Sequence, residues 1–206
     1  MTSHRLIPPL SAALLLATLG SAFAAQPTGV DSPHGFGNIP FGAQKDKALD
    51  LNAGNGQLTD NPDKTATLTY TTLVAGIAFN VAQNFDADGR ATDVRLTYQT
   101  KEENNACIDR FNFVLAQLTS RYGRPKTPTV LRREDSAGQR TDDYSIEFAF
   151  TDKAAIKADI KTSFPLPQKG AAATPAAAPG GGAAAAPVSD CQISLQYLPP
   201  GWTANF

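Results

Sequence analysis

The chain has 206 residues, 42% of them hydrophobic and 18% charged. That length suits one domain or two small ones, and the apolar share can build a packed core, which excludes wholesale disorder. Eighteen Lys and Arg stand against 19 Asp and Glu, a net charge of −1. Such balance gives no electrostatic case for nucleic acid, whose binding leans on clustered positive charge.

The first 24 residues read as a secretory signal peptide. Arg5 supplies a basic start, Leu10 to Leu19 an apolar run, and Ser21-Ala22-Phe23-Ala24 the small residues a signal peptidase needs. The run is shorter than the ~20 residues that span a bilayer. No cysteine sits there to carry a lipid, and no other stretch is apolar for long enough to cross a membrane. The expectation is a chain cleaved after Ala24, exported to a Gram-negative periplasm or secreted beyond it, with no transmembrane segment left.

Residues 25–38, rich in Gly, Pro and Ser, predict an extended arm, and 39–206 a single α+β domain. Ile39-Pro40-Phe41-Gly42 opens a short helix over Gln44 to Leu51. Asn55-Gly56 and Asn61-Pro62-Asp63 are turn chemistry. A strand follows near Thr65 to Thr71, and Ile77, Phe79, Val81 and Phe85 alternate along the next. Asp86-Ala87-Asp88-Gly89 closes a hairpin onto a return strand with Val94, Leu96 and Tyr98.

Thr100-Lys101-Glu102-Glu103 fits a capping box, with Asn104 or Asn105 as alternative caps. Ile108, Phe111, Val114, Leu115, Leu118 and Tyr122 then recur at helical spacing until Gly123 and Pro125 stop the helix. Thr129 to Arg133 is a weak strand. Tyr144, Ile146, Phe148 and Phe150 alternate along a clear one, and Ile156, Ile160 and Phe164 line a third. From about 165 to 189 the chain is mostly Ala, Gly and Pro, which predicts a disordered insertion, because little there can offset the entropy of ordering. A last strand runs from Cys191 to Leu198.

Strands in succession without intervening helices imply antiparallel pairing. The predicted architecture is an antiparallel sheet with one long and one short helix, in the order α-βββ-α-ββββ, and a weak internal duplication of helix plus three strands. Export makes an even cysteine count a disulfide signal. Cys107 lies on the inner stripe of the long helix and Cys191 on the apolar face of the last strand, so a Cys107–Cys191 bridge is predicted.

Catalytic signals are thin. His34, in the arm, is the one histidine past the signal segment, a poor basis for a Ser-His-Asp relay. No His/Cys cluster has zinc spacing, and phosphate and dinucleotide loops are missing. Neither a catalytic residue, a metal site nor a cofactor is expected. Asn84 to Gly89 looks like the start of a calcium loop, but Arg95 stands where a bidentate Glu is needed, so a hairpin turn is the better reading. Arg121, Arg124, Lys126, Arg132 and Arg133 form the densest basic stretch. It reads mainly as solvated surface, with Arg121, Arg124 and Lys126 candidate contacts to an anionic partner.

Phe36-Gly37-Asn38-Ile39-Pro40-Phe41-Gly42, followed by a short helix, resembles the opening of small bacterial periplasmic proteins of unknown role. So does the Tyr122-Gly123-x-Pro125 helix stop. More distantly, helix-then-strands units are similar to β-lactamase-inhibitor-protein-like modules and to small outer-membrane assembly lipoproteins, whose lipid-bearing cysteine this chain lacks. The resemblance spans most of residues 36–164. It implies a protein-binding scaffold and carries over no catalytic residue.

The expected function is a non-enzymatic binding or interaction protein whose partner is an unknown envelope protein or ligand. Phe36 and Trp202 are its candidate aromatic anchors. The alternative is a cell-envelope hydrolase using carboxylates, which requires a pocket where two Asp or Glu side chains face each other.

Overall fold

A computed structural model of the chain describes residues 31–134, 139–165 and 188–201. The predicted signal peptide, residues 166–187 of the predicted insertion and Trp202 lie outside the described residues.

A two-stranded hairpin, β1 (Gly35–Phe36) and β2 (Ile39–Pro40), comes first. The short helix α1 (Lys45–Leu51) follows. Then come β3 (Gln57–Asp60), β4 (Ala66–Val74), β5 (Ile77–Phe85) and β6 (Ala91–Glu103). The long helix α2 (Asn104–Tyr122) leads to β7 (Thr129–Glu134), β8 (Gln139–Ala149), β9 (Ala155–Pro165) and β10 (Val188–Leu198). The predicted α+β class stands: two helices accompany one large antiparallel sheet. Its strands lie in the order β3-β4-β5-β6-β10-β9-β8-β7.

Alternation decides which way each strand faces. Ile77, Phe79, Val81 and Phe85 of β5 are buried, and so are Ile193, Leu195 and Tyr197 of β10. All of these but Phe85, with Val94, Leu96, Phe148 and Ile156, form the main core under α2. Ile39, Ala48, Leu68, Phe85 and Ala91 form a second core under α1. Asp86 closes the β5–β6 hairpin as predicted: its Oδ1 accepts from the amides of Asp88 and Arg90, and Gly89 takes φ 75°. That carboxylate oxygen therefore serves a turn between strands.

The predicted bridge is present. Cys107 and Cys191 are disulfide-bonded and fully buried, with Cα atoms 5.8 Å apart. The inner stripe of α2 is Cys107, Phe111, Val114 and Leu118, a 4-3-4 spacing with the cysteine in line as expected, while Ile108 is 39% exposed rather than inward as the periodicity suggested.

The predicted capping box does not form. β6 runs through Thr100 to Glu103 because β10 pairs with it to the end, Asp190 opposite Lys101 and Val188 opposite Glu103. A continuous ladder satisfies those backbone groups better than one side-chain cap. Glu103 becomes the N-cap without a side-chain hydrogen bond, while Asn104 and Asn105 lie inside the helix. Glu102 instead accepts from Arg110 Nε at 2.9 Å. Two further segments for which the sequence predicts no strand are strands: the β1–β2 hairpin, across the end of the expected arm and the helix opening, and β3, between the two turns. β3 forms because β4 offers it a partner, Gln57 opposite Thr69.

The C-terminus of α2 depends on one glycine. Gly123 has φ 79° and ψ −163°, a region that side chains other than hydrogen scarcely enter. Gly123→Ala should therefore lower stability by about 1–3 kcal/mol, read as a shifted urea midpoint at unchanged slope. The Cys107–Cys191 bridge closes a separation of 84 residues, for which loop entropy gives about 4 kcal/mol. A Cys107→Ala/Cys191→Ala double variant should lose about 2–5 kcal/mol in the same measurement, and an unchanged midpoint would refute the bridge as a fold-holding element.

Candidate functional site

A concavity lies where the β1–β2 hairpin, the far end of β4 and the last turn of α2 meet. Each wall has a local cause. Gly35 lets the hairpin close, since a Cβ there would sit 2.2 Å from the Ile39 carbonyl oxygen. The Phe41 amide donates to the His34 carbonyl at 2.8 Å, and Ser32 Oγ donates to Asp152 Oδ2 at 2.6 Å, which ties the segment before the hairpin to the β8–β9 turn. The Phe36 ring packs against Tyr197 at 5.3 Å between centroids. On the helix side, Tyr122 meets Phe150 edge-on at 5.8 Å, and the Arg121 guanidinium lies 5.3 Å above the Tyr122 ring.

The cleft consists of two contiguous hollows of about 630 and 610 Å³ that share Asn38, Arg121 and Tyr122. Both volumes fall in the range of small-ligand and peptide-side-chain sites. The outer hollow is lined by the exposed groups Asp31 and His34, and the inner one by Phe36, Tyr70, Val74, Leu118 and Tyr197. Arg121 is charged, exposed and without an ion pair among the described residues.

Tyrosine dominates the inner hollow. Burial pushes the Tyr70 phenol up to about 12 and raises Tyr122 as well. Burial also raises Tyr197, with neighbouring Tyr122 adding to the effect and Arg121 opposing it. The Tyr197 side chain is 5% exposed, and its hydroxyl makes no hydrogen bond among the described residues. The oxygen is not one of the buried polar atoms left unpaired, so it meets the solvent of the cleft and is open to whatever enters.

His34 does not complete a nucleophilic relay. Ser32 spends its hydroxyl hydrogen on Asp152, and that bond, more than the nearby His34, holds the Asp152 carboxyl below its ordinary value. Nor do Glu102, Cys107 and Cys191 make a metal set, although their ligand atoms lie within 4.8 Å. The two sulfurs are bonded to each other, which leaves one carboxylate.

The other proposed contacts are scattered. Phe36 reaches the cleft but is half-buried against Tyr197, so it forms wall rather than a free anchor. Arg121 stands at the mouth. Arg124 and Lys126 lie in a separate shallow dent of about 270 Å³, where Lys126 Nζ donates to Glu147 at 2.8 Å. Arg132 pairs with Asp142 at 2.9 Å and Arg133 with Asp143 at 3.8 Å, so these two members of the basic stretch are neutralised across β7 and β8. In the sequence Tyr70 and Tyr197 fall at apolar positions of alternating strands. Their polar tips on an apolar face were the available signal.

The sheet face away from the helices is polar. One cross-strand row runs Thr129, Ser145, Asp159, Ser194, Thr97, Asn80, Thr71. A hollow of about 320 Å³ on this face holds Asp143, Asp159 and Lys161.

The tyrosine cluster sets an alkaline limit. Folded Tyr70 keeps its proton up to about 12, whereas an unfolded tyrosine loses it near 10. The stability this confers is complete below pH 10 and disappears as pH climbs towards 12. Tyr70→Phe should flatten the fall in unfolding midpoint between pH 10 and 12. The same tyrosinate step should vanish from a 295 nm absorbance titration, and a wild-type titration complete by pH 10.5 would contradict the assignment.

No protein-family model, curated protein or solved structure matches the chain.

Proposed function

We propose that the chain is an exported, periplasmic, non-enzymatic protein that binds a partner at the tyrosine-lined cleft. The observation that carries this reading is an aromatic hollow lined by Phe36, Tyr70, Tyr122 and Tyr197, with Arg121, which has no ion pair among the described residues, at its rim. Aromatic rings give a large contact area at low entropic cost, and a single unpaired cation gives orientation. The disulfide fits an oxidising compartment, which supports export. The kinship suggested by the 36–42 opening and the Tyr122-Gly123-x-Pro125 stop belongs to the same proposal, as does the candidate role of Arg124, Lys126 and Trp202 as outlying contacts.

We also read the fold as a duplicated helix-plus-strands unit. Support comes from the sheet order, which runs β6-β5-β4-β3 outward on one side of the β6–β10 seam and β10-β9-β8-β7 on the other. A helix precedes each set of four strands.

The hydrolase alternative has one observation in its favour, the two carboxylates Asp143 and Asp159 in one hollow. Against it, Asp143 is engaged by Arg133, and Lys161 stands directly opposite Asp143 on β9. A cation between two carboxylates suits a solvated salt network better than an acid/base pair.

The binding reading is tested by placing a photo-crosslinking residue at Gln117, on the exposed face of α2 beside the cleft, and another at Asn112, also exposed on α2. In cells, Gln117 should give one dominant crosslinked species at least fivefold above Asn112. Equal or absent crosslinking at both positions would remove the cleft as the site. Chromogenic glycoside hydrolysis by the wild type that is lost in Asp159→Asn would instead establish the enzyme.

A further inference from the structure

β4 is only half covered. β5 pairs with all nine of its residues, but β3 pairs with Ala66 to Thr69 alone. Tyr70 to Val74 therefore have no strand on the outer side, and no other backbone hydrogen bond among the described residues reaches them. Every second N–H and C=O of that segment points away from β5 without a partner. The segment reads Tyr-Thr-Thr-Leu-Val, uncharged and high in β-propensity. Leu73 is 71% exposed, the highest value among the exposed large hydrophobics of the described residues.

The opposite edge of the sheet is built differently. β7 is exposed along its whole length, but Arg132, Arg133 and Glu134 sit on it, and charge on an edge deters pairing with another chain. Only one of the two edges is left unguarded, and the inner hollow of the cleft runs along that one. Tyr70, Thr72 and Val74 line this hollow together with Arg121 and Phe36, while Leu73 borders it at the strand edge, its side chain alternating to the face of Thr71.

We infer that the outer edge of Tyr70–Val74 accepts an extended peptide segment of a partner protein as an added strand. Backbone hydrogen bonds to β4 would supply affinity. Alternate side chains would supply specificity by entering the tyrosine-lined hollow. The recognised segment carries β-branched or aromatic residues at every second position. It also carries an acidic residue that meets Arg121, since the inner hollow has no acidic side chain of its own. A second copy of the chain fits less well. Two five-residue edges fall far short of the 20–30 residues a side of a stable interface, and a flat edge would leave the hollow unfilled.

This inference rests on the cleft being the binding site, and its test separates the two. A displayed library of random dodecapeptides is panned against the purified, disulfide-bonded protein. The winning peptide is then made with a fluorescent label and measured by polarisation. It should show the alternating pattern with an acidic residue. Methylating its backbone nitrogens at every second residue should weaken binding at least tenfold in one phase and less than twofold in the other, because only alternate N–H groups face β4. Leu73→Lys, a change at an exposed position, and Arg121→Glu should each weaken binding at least tenfold.

A winner indifferent to both methylation phases, or to Leu73→Lys, would overturn strand addition. Gln117 crosslinking would survive that result if the cleft still binds by side chains alone. A concentration-dependent dimer in sedimentation that Leu73→Lys abolishes would make a second copy the occupant. Tighter peptide binding after deletion of residues 202–206 would make the chain's own tail the occupant. Either outcome, or no enriched peptide at all, overturns the inference.

Discussion

The pairing of β6 with β10 is the contact on which the rest depends. It joins strands about ninety residues apart in sequence, in a register running from Val94–Tyr197 to Glu103–Val188. Cys191 lies on this seam, directly opposite Thr100, and its sulfur is bonded to Cys107 in the first turn of α2. One covalent bond thus fixes where α2 starts relative to the central strands. From there Phe111, Val114 and Leu118 can reach only the sheet below them. The helix ends at Gly123, beside the first hairpin, and so the cleft is placed by a bond near the other end of the helix.

The seam also explains why one side of the molecule is greasy and the other polar. Because side chains alternate, a register that puts Leu96 and Leu195 under α2 puts Thr97 and Ser194 on the opposite face. A slip by one residue would exchange the two sets. The disulfide forbids that slip at Cys191, and the β9 ladder, with Ile160 opposite Ile193, forbids it along the rest of the strand.

The strong periodic signals were legible in the sequence. The Phe111–Leu118 stripe, the alternation of β5 and β10, the Asp86–Gly89 turn and the cysteine pair all depend on local spacing or on the simple rule that two inward thiols share a core. What escaped depends on partners distant in sequence. The capping box at Thr100–Glu103 is locally sound, but β10 outcompetes it. β3 is a strand only because β4 is there to pair with it. The cleft is assembled from residue segments near 36, 70, 121 and 197, and no local pattern brings those together. Arg121 was singled out with Arg124 and Lys126 because they are close in sequence, yet the turn after Gly123 sends the latter two towards β8.

The asymmetry between the two sheet edges ties the cleft to the fold. A sheet with four strands on each side of the seam has two edges, and bare edges invite uncontrolled pairing. Here β7 carries charge, while β3 stops four residues into β4 and leaves the rest bare. Extending β3 by five residues would have closed the β4 edge at little cost, since short strands lengthen easily where a partner is waiting. The chain turns away instead, through Gly56, whose missing side chain permits close approach to the Thr69 carbonyl. An exposed leucine next to unpaired backbone is a hazard unless something covers it, and the arm, α2 and Tyr197 have shaped a receptacle along that same stretch. Bare edge and hollow make physical sense together as one acceptor for a strand, and neither does alone.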